Sequence, residues 1–183
     1  MKQHPATSRA SFTLIELIVS LAILGLVLMP IYEFLRQGTQ AWETGNTRTE
    51  VMQNARMAAS FLTDELRNAL TLYTVQSRQV RFWFKDLNSN KIADTNEIIT
   101  YAWSGTVGES LTRKLDSEGA AAPVAMGVEA CALSYWNATG AATTVLTAVR
   151  VITLDLKIAK QVRNQKYQTA LRAGVFVRNS INW

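Results

Sequence analysis

The stretch Phe12-Thr-Leu-Ile-Glu16-Leu-Ile-Val-Ser-Leu-Ala-Ile-Leu-Gly-Leu-Val-Leu-Met29 decides how the rest of the chain is read. It is almost wholly apolar and long enough to cross a bilayer as a helix. One carboxylate, Glu16, interrupts it near its start. A charge inside a bilayer costs roughly 2.5–3.5 kcal/mol on insertion scales, so such a residue usually has a partner or a task. A short leader, 1–11, precedes the run and carries Lys2 and Arg9. An ordinary secretory signal has a shorter apolar core and a small-residue cleavage site after it. Here Pro30-Ile-Tyr-Glu-Phe-Leu35 follows instead. A plain membrane anchor with its basic end in the cytoplasm accounts for the length and the leader. It leaves Glu16 without a role.

Working outward, the helical pattern continues beyond the apolar run. Ile31, Phe34, Leu35, Trp42, Met52, Ala55, Ala59, Leu62, Leu66, Ala69 and Leu70 recur mostly at three- and four-residue spacing. Glu50, Gln53, Asn54, Asp64, Glu65 and Arg67 fall on the other faces. This predicts one long helix from about Thr13 to Leu70, apolar all round in its first half and amphipathic in its second. Gly25 and Pro30 weaken the first half, and Gly38 and Gly45 mark a second soft region.

From Leu72 the period changes to two, with β-branched and aromatic residues. Strands are predicted over 72–76, 79–85, 97–103, 110–115, 128–135, 148–159 and 167–178. Turn-like segments at 86–96, 104–108, 117–123 and 137–143 separate them. Short connections favour antiparallel pairing. The fold class is therefore α+β, a long N-terminal helix packed on an antiparallel β-sheet head. The predicted organisation is a leader over 1–11, a membrane and assembly helix over 12–32, an amphipathic helix over 33–71 and a β-rich head over 72–183.

The helix start carries a resemblance. Ser11 to Gly25, Ser-Phe-Thr-Leu-Ile-Glu-Leu-Ile-Val-Ser-Leu-Ala-Ile-Leu-Gly, resembles the N-terminal signature of type IV pilins and type II secretion pseudopilins. The resemblance implies removal of the leader between Ser11 and Phe12, followed by N-methylation of Phe12, both by a prepilin peptidase. Phe12, Thr13 and Glu16 then map onto mature positions one, two and five. Where the family has Gly before the cut, this chain has Ser11, the next small residue; slower cleavage is expected. Cleavage leaves an ammonium on Phe12. The Glu16 carboxylate of a staggered neighbour can pair with it, so that two charges costly alone in lipid neutralise each other and set the register of assembly.

Phrases in the head extend the resemblance. Val80-Arg-Phe-Trp-Phe84, Ile98-Ile-Thr-Tyr-Ala-Trp103, Ser110-Leu-Thr-Arg113 and Val128-Glu-Ala-Cys-Ala-Leu-Ser-Tyr135 occur in this order. Ala148-Val-Arg-Val-Ile-Thr-Leu-Asp-Leu156 and Ala173-Gly-Val-Phe-Val-Arg-Asn179 follow. The order looks like PilW-type minor pilins and J-type minor pseudopilins. It implies a minor structural subunit at a tip or initiation complex of a pilus or pseudopilus. Its partners would be other pilin or pseudopilin subunits, the prepilin peptidase, an inner-membrane assembly platform and the membrane. The location implied is single-pass in the inner membrane with a periplasmic head, then the filament. The alternative from another class is an uncleaved, membrane-anchored periplasmic binding or scaffold domain.

One ligand-like constellation stands in the head, Asp86-Leu-Asn88-Ser-Asn90-Lys-Ile92-Ala-Asp94-Thr-Asn-Glu97. Oxygen side chains fall at loop positions one, three, five, nine and twelve, with the Ile92 carbonyl at seven, the spacing of a calcium loop. Lys91 stands where such a loop needs Gly, and the flanks read as strands. An ordinary polar turn explains the same residues. Calcium and a bare turn both stay open.

Other chemistry finds little support. His4, the single histidine, lies in the leader, and no phosphate-binding glycine loop or cysteine pair occurs. Asp64, Glu65 and Asp155 read as solvated acids on amphipathic elements. The lone Cys131 reads as a small buried hydrophobe, and the tryptophans and tyrosines as core or sheet-face packing. The net charge of +5 includes Lys2 and Arg9, and no basic cluster with interleaved aromatics appears, so no nucleic-acid partner is expected. The chain reads as structural, not as an enzyme.

Overall fold

A computed structural model describes residues 13–178. The predicted helix is present as α1, Leu14–Arg67, 54 residues with Pro30 inside it. Proline at that position leaves the Leu26 carbonyl without its N–H donor four residues on, yet the helical assignment runs through. By contacts the chain divides into two units, Met1–Gly45 and Asn46–Trp183.

In the first unit the helix is apolar all round and exposed. Leu14 is 77% exposed, Met29 79% and Phe34 76%. Beyond the apolar run, Arg36 Nε donates to Glu33 Oε2 at 2.9 Å, an exposed pair one turn apart. The segment is long and apolar enough to cross a membrane by length and composition.

In the second unit the end of α1 packs on β-sheet. Its buried residues are Val51, Ala55, Ala58, Ala59, Leu62 and Leu66, with Thr47 at the start of the row. Their three- and four-residue spacing puts them on one face, and the three alanines let the strands approach the helix closely. Eight strands follow: β1 Thr71–Gln76, β2 Gln79–Trp83, β3 Ile98–Ala102, β4 Leu111–Leu115, β5 Ala122–Ala125, β6 Val128–Trp136, β7 Val151–Val162 and β8 Gln165–Phe176. They form two antiparallel sheets. The first is a five-stranded meander in the order β1-β2-β3-β4-β5, and the second is β6-β7-β8.

The antiparallel β-sheet head read from the sequence is present, divided into two sheets. The break falls at Met126-Gly127, between β5 and β6. Gly127 sits at φ +68°, and a Cβ there would lie 2.5 Å from the Ala159 carbonyl oxygen. Only glycine fits that close approach in the left-handed region. The Ala159 N–H donates to the Gly127 carbonyl at 2.9 Å, fastening the turn to β7. The sheets also meet where the Leu133 N–H donates to Ser77 O and the Tyr135 hydroxyl to Gln76 O, both at 2.8 Å.

Strand β5 corrects the turn assigned to 117–123. It pairs through Thr112↔Pro123 as the outer strand of its sheet, a place where proline's missing donor is tolerated. The other seven strands lie within three residues of their predicted bounds.

Alternation along the strands fills the core. Val80, Phe82, Ile99, Tyr101 and Leu111 enter from the first sheet, and Leu133, Tyr135, Ile152, Leu154, Leu156 and Ile158 from the second. Cys131 is buried among them, as read. Trp83 and Trp103 are buried, whereas Trp42 is 79% exposed and does not belong to the core.

Candidate functional site

The helix start is built by local chemistry. Thr13 precedes the first helical residue. Its carbonyl accepts from the Leu17 N–H at 3.2 Å, and its Oγ1 accepts from the Glu16 N–H at 3.4 Å. Thr13 thus stands as N-cap and Glu16 as the third helical residue, the spacing of a capping box. Glu16 is therefore more than a costly charge, and the Thr-x-x-Glu spacing is the sequence signal for it. A carboxylate in the first turn also gains from the positive end of the helix dipole. Glu16 is the only acid or base between Thr13 and Tyr32. Ser11 and Phe12, where cleavage and methylation are expected, lie outside the described residues.

A second cluster fixes the amphipathic half of α1 to the first sheet. The Tyr101 hydroxyl donates to Glu65 Oε2 at 2.6 Å, and Arg113 Nε donates to both Glu65 oxygens at 3.0 and 3.1 Å. Arg113 Nη2 completes a two-pronged pair at 2.8 Å from Oε1. Burial, then the Glu65 carboxylate, holds the Tyr101 hydroxyl far above its ordinary range. The hydrogen bond to Glu65 raises Arg113. Glu65 is therefore not the solvated acid read from its position. It is a partly buried charge that brings together residues far apart in sequence. Asp155 sits on an exposed face as read, and it pairs with Arg172 at 2.7 Å.

The polar loop 86–97 joins β2 to β3. Asp86 Oδ1 accepts from the Asn90 N–H at 3.2 Å and Oδ2 from the Lys91 N–H at 2.9 Å. Asn90 Oδ1 accepts from the Ile92 N–H at 2.7 Å. The Asn88 and Asn90 amides donate to Asp94 Oδ2 at 2.7 and 3.0 Å. Ser89 and Lys91 both adopt left-handed φ of 59°, so Lys91 makes the turn that glycine would make.

Glu97 stands apart. It is 1% exposed, and its carboxylate accepts from the Trp83 indole at 3.0 Å, the Leu87 N–H at 2.5 Å and the Asp94 N–H at 3.3 Å. A carboxylate so engaged cannot give both oxygens to a cation without orphaning buried donors. The structure gathers Asp86, Asn88, Asn90 and Asp94 around one turn and places Glu97 beneath it as its anchor. Among the described residues no group of three or more His, Cys, Asp or Glu side chains could hold a metal ion.

The architecture is α+β and pilin-like, one long N-terminal helix on antiparallel sheets. The prokaryotic N-terminal methylation motif matches residues 7–32. That match spans Ser11, Phe12, Thr13 and Glu16, and it is consistent with the type IV pilin and pseudopilin family. No curated protein matches the chain.

Proposed function

We propose that the protein is a minor structural subunit of a type IV pilus or a type II secretion pseudopilus, built into its initiating or tip complex. Prepilin peptidase cuts after Ser11 and methylates Phe12. The helix then holds the subunit in the inner membrane with the head in the periplasm, until an assembly platform passes it to neighbouring pilin-type subunits. No catalytic step belongs to this role.

The observation that carries the reading is Glu16, set in the first turn of a helix that carries no other charge before Glu33, inside the methylation motif. Its pairing with the freed Phe12 ammonium of a neighbour gives the charge a task and the filament a register. Glu16→Ala is expected to leave cleavage intact and to lower the amount of subunit in the sheared filament or pseudopilus fraction about tenfold. Undiminished incorporation contradicts the register role.

Calcium at the 86–97 loop is a proposal with a narrower ligand set than the spacing suggested, namely Asp86, Asn88, Asn90, the Ile92 carbonyl and Asp94. The left-handed turns at Ser89 and Lys91, which wrap these oxygens onto one turn, favour it. Its test is a calcium titration of the full chain in detergent with melting temperature as readout. No shift at millimolar calcium leaves the loop as a turn held by its own hydrogen bonds.

A further inference from the structure

β8 is an outer strand of its sheet and runs for 12 residues. Its hairpin with β7 closes through Val162↔Gln165, and the pairing continues to Val151↔Phe176 without a register shift. In a hairpin with a two-residue turn the closing pair is hydrogen-bonded, and so is every second pair after it. The odd-numbered residues from 165 to 175 therefore turn their backbone groups to β7. Lys166, Gln168, Ala170, Arg172, Gly174 and Phe176 turn theirs outward, along about 34 Å of edge. Among the described residues no backbone or side-chain group bonds to those outward N–H and C=O groups. The sheet's other outer strand, β6, is tied to the first sheet, where the Leu133 N–H donates to Ser77 O at 2.8 Å.

An open edge is a template for another strand, and proteins usually blunt it with charges, prolines or bulges. β8 has no proline and no bulge. Its two cations are drawn back over the sheet face. Asp155 of β7 holds Arg172 through two bonds of 2.7 and 2.9 Å, and Glu129 of β6 holds Lys166. Ala170 and Gly174 leave little side chain beside the edge. A Cβ at Gly174 would meet nothing within 4 Å, so the fold itself does not require glycine there. Glycine inside a strand marks a place where another backbone approaches closely.

At its turn end the edge opens into a groove of about 310 Å³, where Arg48, Val51 and Met52 of α1 face Lys166, Tyr167 and Thr169. Among the described residues no acid pairs with Arg48.

We propose that β8 is a docking edge for an extended strand from the head of a different pilin-type subunit, which joins the β6-β7-β8 sheet as a fourth strand and brings a carboxylate to Arg48. The open N–H and C=O groups decide the form of the occupant, because another strand satisfies them in register. Arg48 decides its charge. A subunit used at the start or tip of a filament meets unlike neighbours, so the strand belongs to another protein and not to a second copy. The inference rests on the filament-subunit reading and deepens it by naming the surface and the kind of partner.

The test uses the full chain, expressed with its assembly machinery, with photoreactive p-benzoylphenylalanine in place of Gln168. Irradiation of the filament or pseudopilus fraction is expected to join the chain to one different pilin-type subunit, at a segment that peptide mass spectrometry places beside an Asp or Glu. Ala170→Pro removes one outward N–H and is expected to lower the cross-link yield about tenfold. Arg48→Glu should lower it roughly two- to fivefold, the range of an exposed charge pair. Proline is tolerated at an outward edge position, so the melting temperature of Ala170→Pro in detergent should stay within about 4 °C of the unsubstituted chain. If it falls further, Ala170→Lys replaces it, keeping the N–H and lowering the yield by placing a charge on the edge.

Assembled subunits without a cross-link from position 168 overturn the proposal and spare the filament reading. So do cross-links to a second copy of this chain alone, and a yield that stays unchanged in the folded position-170 variant. Subunits absent from filaments in the unsubstituted chain overturn the filament reading and this inference with it.

Discussion

The two halves of α1 share one backbone and face opposite physical problems. Along 46–67 the helix buries a single face, with Ala58 and Leu66 fully covered and Val51 3% exposed. The covering groups all come from this chain. Along 14–35 the apolar residues lie open on every side, and Leu14, Leu26 and Met29 are each more than 70% exposed. An uncovered surface of that kind is unfavourable in water at roughly 25 cal/mol per Å². It is stable only where lipid or other subunits replace water. The difference separates what the chain supplies from what its surroundings must supply: the head is self-sufficient, and the first half of the helix is built for an external partner.

The largest effect that sharpens this contrast is expected from Leu62→Ala. Leu62 is 1% exposed in the head core, and its loss should cost about 2–5 kcal/mol of head stability by denaturant unfolding of the full chain in detergent. A cost below about 1 kcal/mol would mean that the second half of the helix is not docked as described.

Arg113→Met comes next. It strips Glu65 of its cation and leaves a partly buried carboxylate held by Tyr101 alone, which should cost about 1–3 kcal/mol. Arg113→Met with Glu65→Leu should recover part of that loss, because removing both partners leaves no orphaned charge. No recovery would show that packing, not charge, ties the helix to the sheet.

Smaller effects follow from Cys131. Burial pushes its thiol up to about 11 from an ordinary 9.0. The folded chain therefore holds the proton more tightly than the unfolded one. The corresponding stability is present below pH 9 and is lost as pH rises from about 9 towards 11. Native protein at about pH 8 should resist alkylation by iodoacetamide, whereas unfolded protein should react fully, with labelling followed by intact mass. Fast native labelling would break the assignment of Cys131 to the core. The smallest effect is expected from Ile23→Ala, in the exposed half. The same kind of apolar loss as at Leu62 should change head unfolding by less than about 0.5 kcal/mol. An equal cost at both positions would erase the contrast between the halves.

Much of this was legible in the residues, because helix spacing and strand alternation are local signals. The three-and-four spacing from Ala55 to Leu66 and the alternation through Ile152, Leu154, Leu156 and Ile158 locate the core directly. β5 was not legible, since Ala122-Pro123-Val124-Ala125 has weak strand propensity, and its pairing with β4 holds it in place. The split into two sheets depends on Gly127 approaching the β7 backbone, which no local pattern announces. Glu65 was misread for the same reason: Tyr101 and Arg113 are 36 and 48 residues away. Glu97 looked like the last ligand of a cation loop, and the fold turns it under Trp83 as an anchor. The Thr13 cap, by contrast, was available in the Thr-x-x-Glu spacing that Glu16 completes.

The account as a whole depends on the peptide bond between Ser11 and Phe12 being cut, so that an ammonium stands beside the apolar helix and its Glu16. Intact-mass and N-terminal peptide mass spectrometry of the chain from membranes with active prepilin peptidase tests this most directly. A chain that begins at N-methylated Phe12 is the predicted result. A chain that retains Met1 and the leader would contradict it, and would describe an anchored periplasmic domain instead.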